Sequence, residues 1–180
     1  MSSILKVDTI QNTGGTTGLT IDSSGFVAPK VPILEVGMGA SHQTLTNATW
    51  TKVAFSIVDH DNASWYDNSA YRYTPQQAGY YQVNLTLYNS DNSNTLLRMI
   101  GAINTSGTNY GNHRLWDEDY TLSGATGTTE PQTRSGSRMF YMNGSSDFIE
   151  AYVWVNLNSG SPKVLNSGEM SRMTVFLVST

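Results

Sequence analysis

Two acidic segments contain the residue types that could do chemistry. The first is Asp59-His60-Asp61-Asn62 with Asp67 nearby. Carboxylates that alternate along a loop can bind calcium, because this cation prefers hard oxygen ligands. Asp59, Asp61 and Asp67 are therefore weak calcium candidates. The segment lacks the central glycine and the distal glutamate of an EF-hand loop, so a structural role is the better interpretation.

The second segment, Trp116-Asp117-Glu118-Asp119-Tyr120, places carboxylates between aromatic residues. Proteins hold sugars in this way, by stacking on a ring and by hydrogen bonds to carboxylates, so the segment predicts a ligand loop. Paired carboxylates could equally hydrolyse a glycosidic bond, although a sequence does not fix their separation in space. A solvated loop without a ligand is the third interpretation and the one that we favour.

No other segment has the spacing of a catalytic motif. His42, His60 and His113 lie in unrelated contexts, without a Gly-x-Ser-x-Gly elbow or a His-Glu-x-x-His pair. The Gly-Thr-Thr-Gly string is a turn rather than a phosphate cradle, because no helix with a lysine follows it. The sequence therefore favours a binding protein over an enzyme and indicates no cofactor.

The composition excludes several classes of partner. The 180 residues carry a net charge of −4, with a pI near 5.2, and their few Lys and Arg are scattered, so nucleic-acid binding is not expected. There is no cysteine for a disulfide or a thiolate zinc site. No apolar run approaches the roughly 20 residues of a membrane span. Lys6 and Asp8 interrupt the N-terminal apolar stretch, so we expect a route to the exterior other than a secretory signal.

Short strands must position these segments. Between Tyr81 and Leu87, apolar residues alternate with Gln, Asn and Thr, which is typical of a half-buried antiparallel strand. Similar patterns predict strands at 50–58, 96–103, 138–142, 148–157 and 172–178, and no segment has a capped helical period. Many strands separated by turn residues predict an all-β, antiparallel sandwich or jelly roll over residues 31–180.

The strand predicted at 148–157 carries large apolar side chains on both sides. One side is formed by Ile149, Ala151, Val153 and Val155. The opposite side, where Glu150 also lies, carries more large aromatic residues than a solvent-facing side should. Aromatic residues bury much area and are enriched in interface cores. The aromatic side therefore predicts a subunit contact, with a loop folded over it as the alternative. Its members are Phe148, Tyr152 and Trp154.

Residues 1–30 read as a separate segment in which a strand, a glycine turn, a short strand and a second turn follow one another. So thin an element cannot bury its own apolar side, and the simplest partner is the same segment of another copy. We predict a self-associating attachment segment, with a flexible leader that does not self-associate as the alternative. Its apolar positions are Ile4, Val7, Ile10, Leu19 and Ile21.

The stretch from Phe55 to Leu85 resembles the signature of the complement component 1q globular domain. The resemblance implies a trimeric β jelly roll, related in fold to tumour necrosis factor, that binds partners and is not known for catalysis. Tyr73 and Val83 stand where that family usually carries Phe, a conservative departure for a packed strand. Some members bind calcium, but through the loops that are least alike here. The signature positions are Phe55, Asp61, Tyr66, Tyr73, Gly79 and Tyr81.

Residues 3–12, with the glycine-rich turns and residues 19–25 that follow, resemble the leader of virion proteins of marine tailed bacteriophages, especially those that infect cyanobacteria. The resemblance implies attachment or trimer registration ahead of a fibre or receptor-binding domain. We therefore expect a homotrimeric virion protein that docks on other virion proteins and binds a host-surface glycan or protein. It would be made in the host cytoplasm and released by lysis. A capsid decoration protein or head fibre is one alternative. A glycan-degrading tail enzyme that uses Asp117, Glu118 or Asp119 is a less favoured one, because such enzymes usually need a longer body.

Overall fold

The computed structural model separates the chain into two compact units, Met1–Pro32 and Ile33–Thr180. The predicted division into residues 1–30 and 31–180 lies close to this boundary. The roles assigned to the two segments stay predictions. The structure describes residues 7–15, 17–39, 41–89, 96–107, 109–119, 132–157, 162–164 and 171–180.

The N-terminal unit is a three-stranded antiparallel meander. Its strands are β1 (Thr9–Gln11), β2 (Thr17–Ile21) and β3 (Val27–Pro29). Ile10 lies opposite Leu19, and Ile21 lies opposite Val27. Paired residues of an antiparallel sheet point to the same side, so these four apolar residues share one side of the meander.

The larger unit consists of short and medium strands with a single 3-10 turn, Asn109–Asn112, among its described residues. Its strands are β4 (Ile33–Gly37), β5 (Gln43–Thr44), β6 (Thr51–Lys52), β7 (Ile57–Asp61), β8 (Tyr66–Asp67), β9 (Arg72–Tyr73), β10 (Ala78–Asn89), β11 (Leu96–Asn104), β12 (Arg114–Asp119), β13 (Gln132–Asn143), β14 (Glu150–Leu157), β15 (Lys163–Val164) and β16 (Arg172–Ser179).

Two antiparallel sheets pack against each other in this unit. The larger sheet has the order β5-β15-β10-β16-β4-β7, with β13 also paired to β10, and the smaller sheet has the order β12-β11-β14-β6. Strands β8 and β9 form a separate pair, which a bridge from Tyr73 to Ile149 joins to the start of β14. The predicted all-β, antiparallel jelly-roll sandwich is confirmed.

The core lies between the two sheets because the alternation along the strands points one side of each inward. The four apolar residues between Tyr81 and Leu87 on β10 are fully buried. They face the apolar side of β14, from Ala151 to Leu157, which is buried as well. Alternate residues of these strands therefore point outward and form the two outer surfaces of the sandwich.

Residues 50–58 do not form the single strand that their pattern predicts. Strand β6 belongs to the smaller sheet and β7 to the larger one, so the chain changes sheets between them. Val53 and Phe55 in this crossover are each only 1% exposed. The inward-pointing alternation continues through the crossover, and for this reason the pattern resembled one continuous strand.

Candidate functional site

The first half of the fold signature closes the turn that follows β7. The Oδ2 atom of Asp61 accepts a hydrogen bond from the backbone amide of Tyr66 at 2.9 Å. The Tyr66 hydroxyl in turn donates to the carbonyl oxygen of Phe55 at 2.7 Å. Burial raises the pKa of Tyr66 well above its ordinary range, so this hydroxyl remains a hydrogen-bond donor at neutral pH.

The second half of the signature packs the core. The rings of Tyr73 and Tyr81 are fully buried and meet edge to face, with centroids 6.4 Å apart. At Gly79 a Cβ atom would lie 2.4 Å from the backbone oxygen of Ser179, so a side chain would push the two strands apart. The signature residues thus hold the fold together and identify no ligand.

The three candidate calcium ligands are engaged separately. Asp61 caps the turn described above, and Asp59 lies 3.4 Å from the guanidinium of Arg172. Asp67 accepts hydrogen bonds from its own turn, and these lower its pKa, with the Ser69 hydroxyl contributing most, followed by the amides of Ala70 and Ser69. Within the described ranges, no three His, Asp or Glu side chains are grouped so that they could hold a metal ion.

The segment expected to be a ligand loop is strand β12 as far as Asp119, and Tyr120 lies outside the described residues. Trp116 points inward, with its ring directly over Gly101, and is only 8% exposed. A Trp buried in this way cannot offer its face to a sugar. Glu118 remains exposed, but nothing in the described residues assigns it a ligand.

The predicted subunit contact, Phe148, Tyr152 and Trp154, is half-buried within a single chain. The Arg72 guanidinium lies 3.9 Å above the centroid of the Phe148 ring, and that of Arg98 lies 5.9 Å from the Trp154 ring. The aromatic residues are thus partly covered by basic side chains of their own subunit. Their contact with a second subunit stays a prediction.

Ion pairs dominate the outward side of the smaller sheet, which with the adjoining Arg72 and Phe148 we call the ion-paired face. Asp117 accepts two hydrogen bonds from Arg98, each of 2.7 Å, and it also contacts Arg114. Hydrogen bonds from Arg98 lower the pKa of Asp117, with a smaller contribution from Arg114, against an opposing effect of desolvation. A carboxylate held this firmly in its ionised form is poorly suited to act as a general acid.

A second carboxylate of this face, Glu150, is almost completely buried, with 1% exposure. Its Oε1 atom accepts hydrogen bonds from Lys52 Nζ and Arg72 Nε, both at 2.7 Å, and Asn104 donates to Oε2 at 3.1 Å. Burial alone would raise the pKa of Glu150, but the hydrogen bonds from Lys52, Arg72 and Asn104 outweigh it and hold that pKa below its ordinary value. Glu150 is therefore a buried anion that orders two cations.

The outward side of the larger sheet differs from the ion-paired face because it exposes large apolar side chains. We call this exposed apolar part the apolar face. Tyr80 and Tyr141 meet edge to face with centroids 5.4 Å apart, and the strand register continues from Met139 across β10 to Phe176 and Ile33. In the described part of the smaller sheet, no large apolar side chain is exposed to this extent. The apolar face consists of Ile33 (40% exposed), Tyr80 (50%), Met139 (55%), Tyr141 (57%), Phe176 (37%) and Val178 (52%).

Beyond the apolar face, the outward side of the larger sheet becomes polar. Asn84 donates a hydrogen bond to the Thr174 hydroxyl at 3.0 Å, and the hydroxyls of Thr86 and Ser135 are 2.9 Å apart. The alternation along β10 predicts these polar positions, whereas the exposed apolar positions of the same sheet were not predicted. The signal was present in residues 139–142, four consecutive large apolar residues, which place apolar side chains on both sides of the strand.

The apolar positions predicted for attachment lie mostly on the N-terminal meander. Ile10 is 52% exposed, Leu19 and Ile21 are half-buried, Val7 precedes β1, and Ile4 lies outside the described residues. The structure adds two residues that the pattern missed, Phe26 at 73% and Val27 at 57% exposure. Strand β3 escaped prediction because it is short and ends in a proline.

Comparison with solved structures identifies the class of fold. A crystal structure of murine APRIL at pH 8.5 matches with a TM-score of 0.57 and 11% identity, covering 83% of this chain and all of that one. APRIL at pH 5.0 matches with a TM-score of 0.55 and 10% identity, at the same coverage. The Eiger TNF structure from S. frugiperda gives 0.52 and 11%, covering 82% and 92%. The larger unit therefore has a jelly roll similar to those of tumour-necrosis-factor-type proteins.

No protein-family model and no curated protein matches the sequence. In the described residues, no helix has the length and apolar character needed to cross a membrane.

Proposed function

We propose that this chain is a structural protein of a bacteriophage virion, in which three copies form the head of a fibre or spike. The jelly-roll units assemble through the apolar face, the N-terminal units attach the trimer to the particle, and the head binds a host-surface glycan or protein. The observation that carries the assembly is the set of six exposed large side chains of the apolar face. The resemblance to the complement component 1q domain supports three copies.

The apolar face favours association because water contacts side chains that a core would normally cover. Contiguous exposed apolar patches of this kind are uncommon on monomers and usually mark an interaction site. Further copies of the chain are the simplest partners, since every subunit of a closed symmetric homo-oligomer presents the same patch and these patches can meet around the symmetry axis. The chain contains no cysteine, so disulfides do not contribute to its stability as an alternative to assembly.

The N-terminal unit supports the attachment role through its exposed side chains. Phe26 follows a turn in which Asp22 Oδ1 accepts hydrogen bonds from the amides of Ser24 and Phe26, at 2.8 and 2.9 Å. Because these hydrogen bonds order the backbone of the turn, only the side-chain torsions of Phe26 remain to be fixed when the ring enters a pocket of a partner. The leader resemblance supplies the kind of partner, another virion protein.

Two measurements test this proposal. Light scattering of the purified chain should give three times the 19.7 kDa of one copy, and a monomer at micromolar concentration would contradict the trimer. Antibody against the chain should label phage particles in electron microscopy, and unlabelled particles would contradict the virion role. Label at the tail tip favours adsorption, whereas label spread over the shell favours the alternative of a decoration protein or head fibre.

A further inference from the structure

The ion-paired face contains two basic side chains that one buried carboxylate holds side by side. Lys52 Nζ and Arg72 Nε both lie 2.7 Å from the same oxygen, Oε1 of Glu150. We propose that Arg72 and Lys52 bind the carboxylate of an acidic sugar. This inference rests on the proposed binding of a host glycan, for which it supplies a site and a ligand class.

The guanidinium of Arg72 is fixed from two sides. Its Nε atom donates to Glu150, and its Cζ atom lies over the ring of Phe148, 3.9 Å from the ring centroid. The two terminal amino groups make no hydrogen bond to the described part of the chain, and the side chain is 40% exposed. A guanidinium with both amino groups open matches a carboxylate through two parallel hydrogen bonds. Because the side chain is already ordered, binding costs little rotamer entropy.

The electrostatics of the pair favour an incoming anion. Two cations that share one carboxylate oxygen repel each other, and a second anion placed between their outer N–H groups would reduce that repulsion. Lys52 also donates to the carbonyl of Ala70 at 3.2 Å, which orients its ammonium group. Asp67 lies opposite Arg72 in the strand register and offsets part of the positive charge of the pair, so recognition of an anion depends on the open amino groups of Arg72 rather than on net charge.

The surroundings of the pair favour a sugar over a protein ligand. Tyr152 lies directly opposite Lys52 in the strand register, so an aromatic side chain borders the charged pair, a combination typical of sugar-binding sites. A protein partner would need an apolar centre for its interface, and the described part of this sheet exposes no large apolar side chain. A nucleic acid is disfavoured by the net charge of −4.

The probe for this site is an oligomer of galacturonic acid, titrated calorimetrically into the full chain beside a neutral glucose oligomer of equal length and inorganic sulfate. The Arg72→Gln variant should weaken oligouronate binding by about ten-fold or more, because both open amino groups are lost. Arg72→Lys keeps the charge but not the fork and should weaken binding about three-fold. Arg114→Gln is the matched control, an arginine of the same face with a carboxylate partner, and should stay within about two-fold of wild type.

Equal binding of the neutral oligomer, an unchanged affinity in Arg72→Gln, or a preference for sulfate over the oligouronate would overturn the acidic-sugar site. So would a wild-type chain that binds no oligouronate. Circular dichroism of each variant checks that the fold is retained, and Arg72→Lys still tests the site if Arg72→Gln fails to fold. Light scattering and particle labelling report separately on the trimer and the virion, so failure of this site and failure of the proposed function are distinguishable.

Discussion

The two outward faces of the jelly roll differ in what each of them gains from a partner. Every large side chain of the apolar face remains in water in one chain, and covering such area is worth about 25 cal/mol per Å². On the ion-paired face, the rings of Tyr152 and Trp154 are half-covered and each of two carboxylates already holds two cations. We therefore assign assembly to the apolar face and ligand recognition to the ion-paired face.

The two faces are therefore two candidate interfaces, and aromatic content alone does not choose between them. Trp154 looked like an interface residue because it stands on the outward side of a strand. In the structure the guanidinium of Arg98 lies beside its ring, while Ile100, directly opposite Trp154 on β11, is only 4% exposed. The long stems of basic residues can cover apolar surface while their charged ends stay in water. An outward aromatic residue among basic neighbours can thus be covered within its own chain.

The largest expected effect comes from placing a charge on the apolar face. Tyr141→Asp should convert the trimer to monomers, because an unpaired carboxylate buried in an apolar interface costs about 3 kcal/mol or more. This corresponds to a loss of affinity of about 100-fold or more. Size-exclusion chromatography with light scattering measures the mass directly. Circular dichroism should show that the fold of the subunit is retained.

The matched variant on the other face is Trp154→Asp, which also replaces an outward aromatic residue by aspartate. It should leave the trimer intact, because the ion-paired face makes its contacts within one subunit. The opposite pattern, monomers from Trp154→Asp and a trimer from Tyr141→Asp, would move the interface to Phe148, Tyr152 and Trp154, where the sequence alone had placed it.

A smaller effect is expected when the two carboxylates of the ion-paired face are neutralised one at a time, because they should differ in how much each contributes to the free energy of unfolding. Glu150→Gln should lower the free energy of unfolding by about 2–3 kcal/mol, because an amide leaves Lys52 and Arg72 without the buried anion that orders them. Asp117→Asn should cost less than about 1 kcal/mol, since its side chain is 29% exposed and exposed ion pairs contribute little. Urea unfolding at one protomer concentration measures both. Equal losses would show that burial does not distinguish the two clusters.

Much of the fold could be predicted because period-two alternation records which side of a strand faces the core. Strands β10, β11, β14 and β16 followed from that pattern. The crossover at Val53 and Phe55 could not be predicted, because alternation reports only whether a residue points inward and not to which sheet it belongs. The polar half of β13 was missed because its stability comes from pairing with β10 along twelve positions, a long-range contact that no local pattern records.

The candidate sites were less predictable for a similar reason. The buried role of Glu150 depends on Lys52 and Arg72, which are 98 and 78 residues away along the chain. A sequence shows only a polar residue between Ile149 and Ala151, where alternation would place it on the solvent side. The aspartates of residues 59–67 looked like a cluster because they are close along the chain, whereas the fold turns them toward separate partners.

The smallest expected effect is a pH dependence. It concerns the difference in the free energy of unfolding between wild type and the Glu150→Gln variant. Hydrogen bonds hold the pKa of Glu150 below its ordinary value of 4.5, so near and below that pH the folded chain binds fewer protons than the unfolded one. Its contribution to stability is therefore present at neutral pH and is lost as the pH falls through the folded pKa. Urea unfolding of wild type and Glu150→Gln between pH 7 and about pH 3 should show the gap between them narrowing below about pH 5. Asp117 is present in both proteins, so its titration cancels in the difference between their free energies of unfolding. A difference that stays constant with pH would mean that the carboxylate of Glu150 does not contribute through its charge.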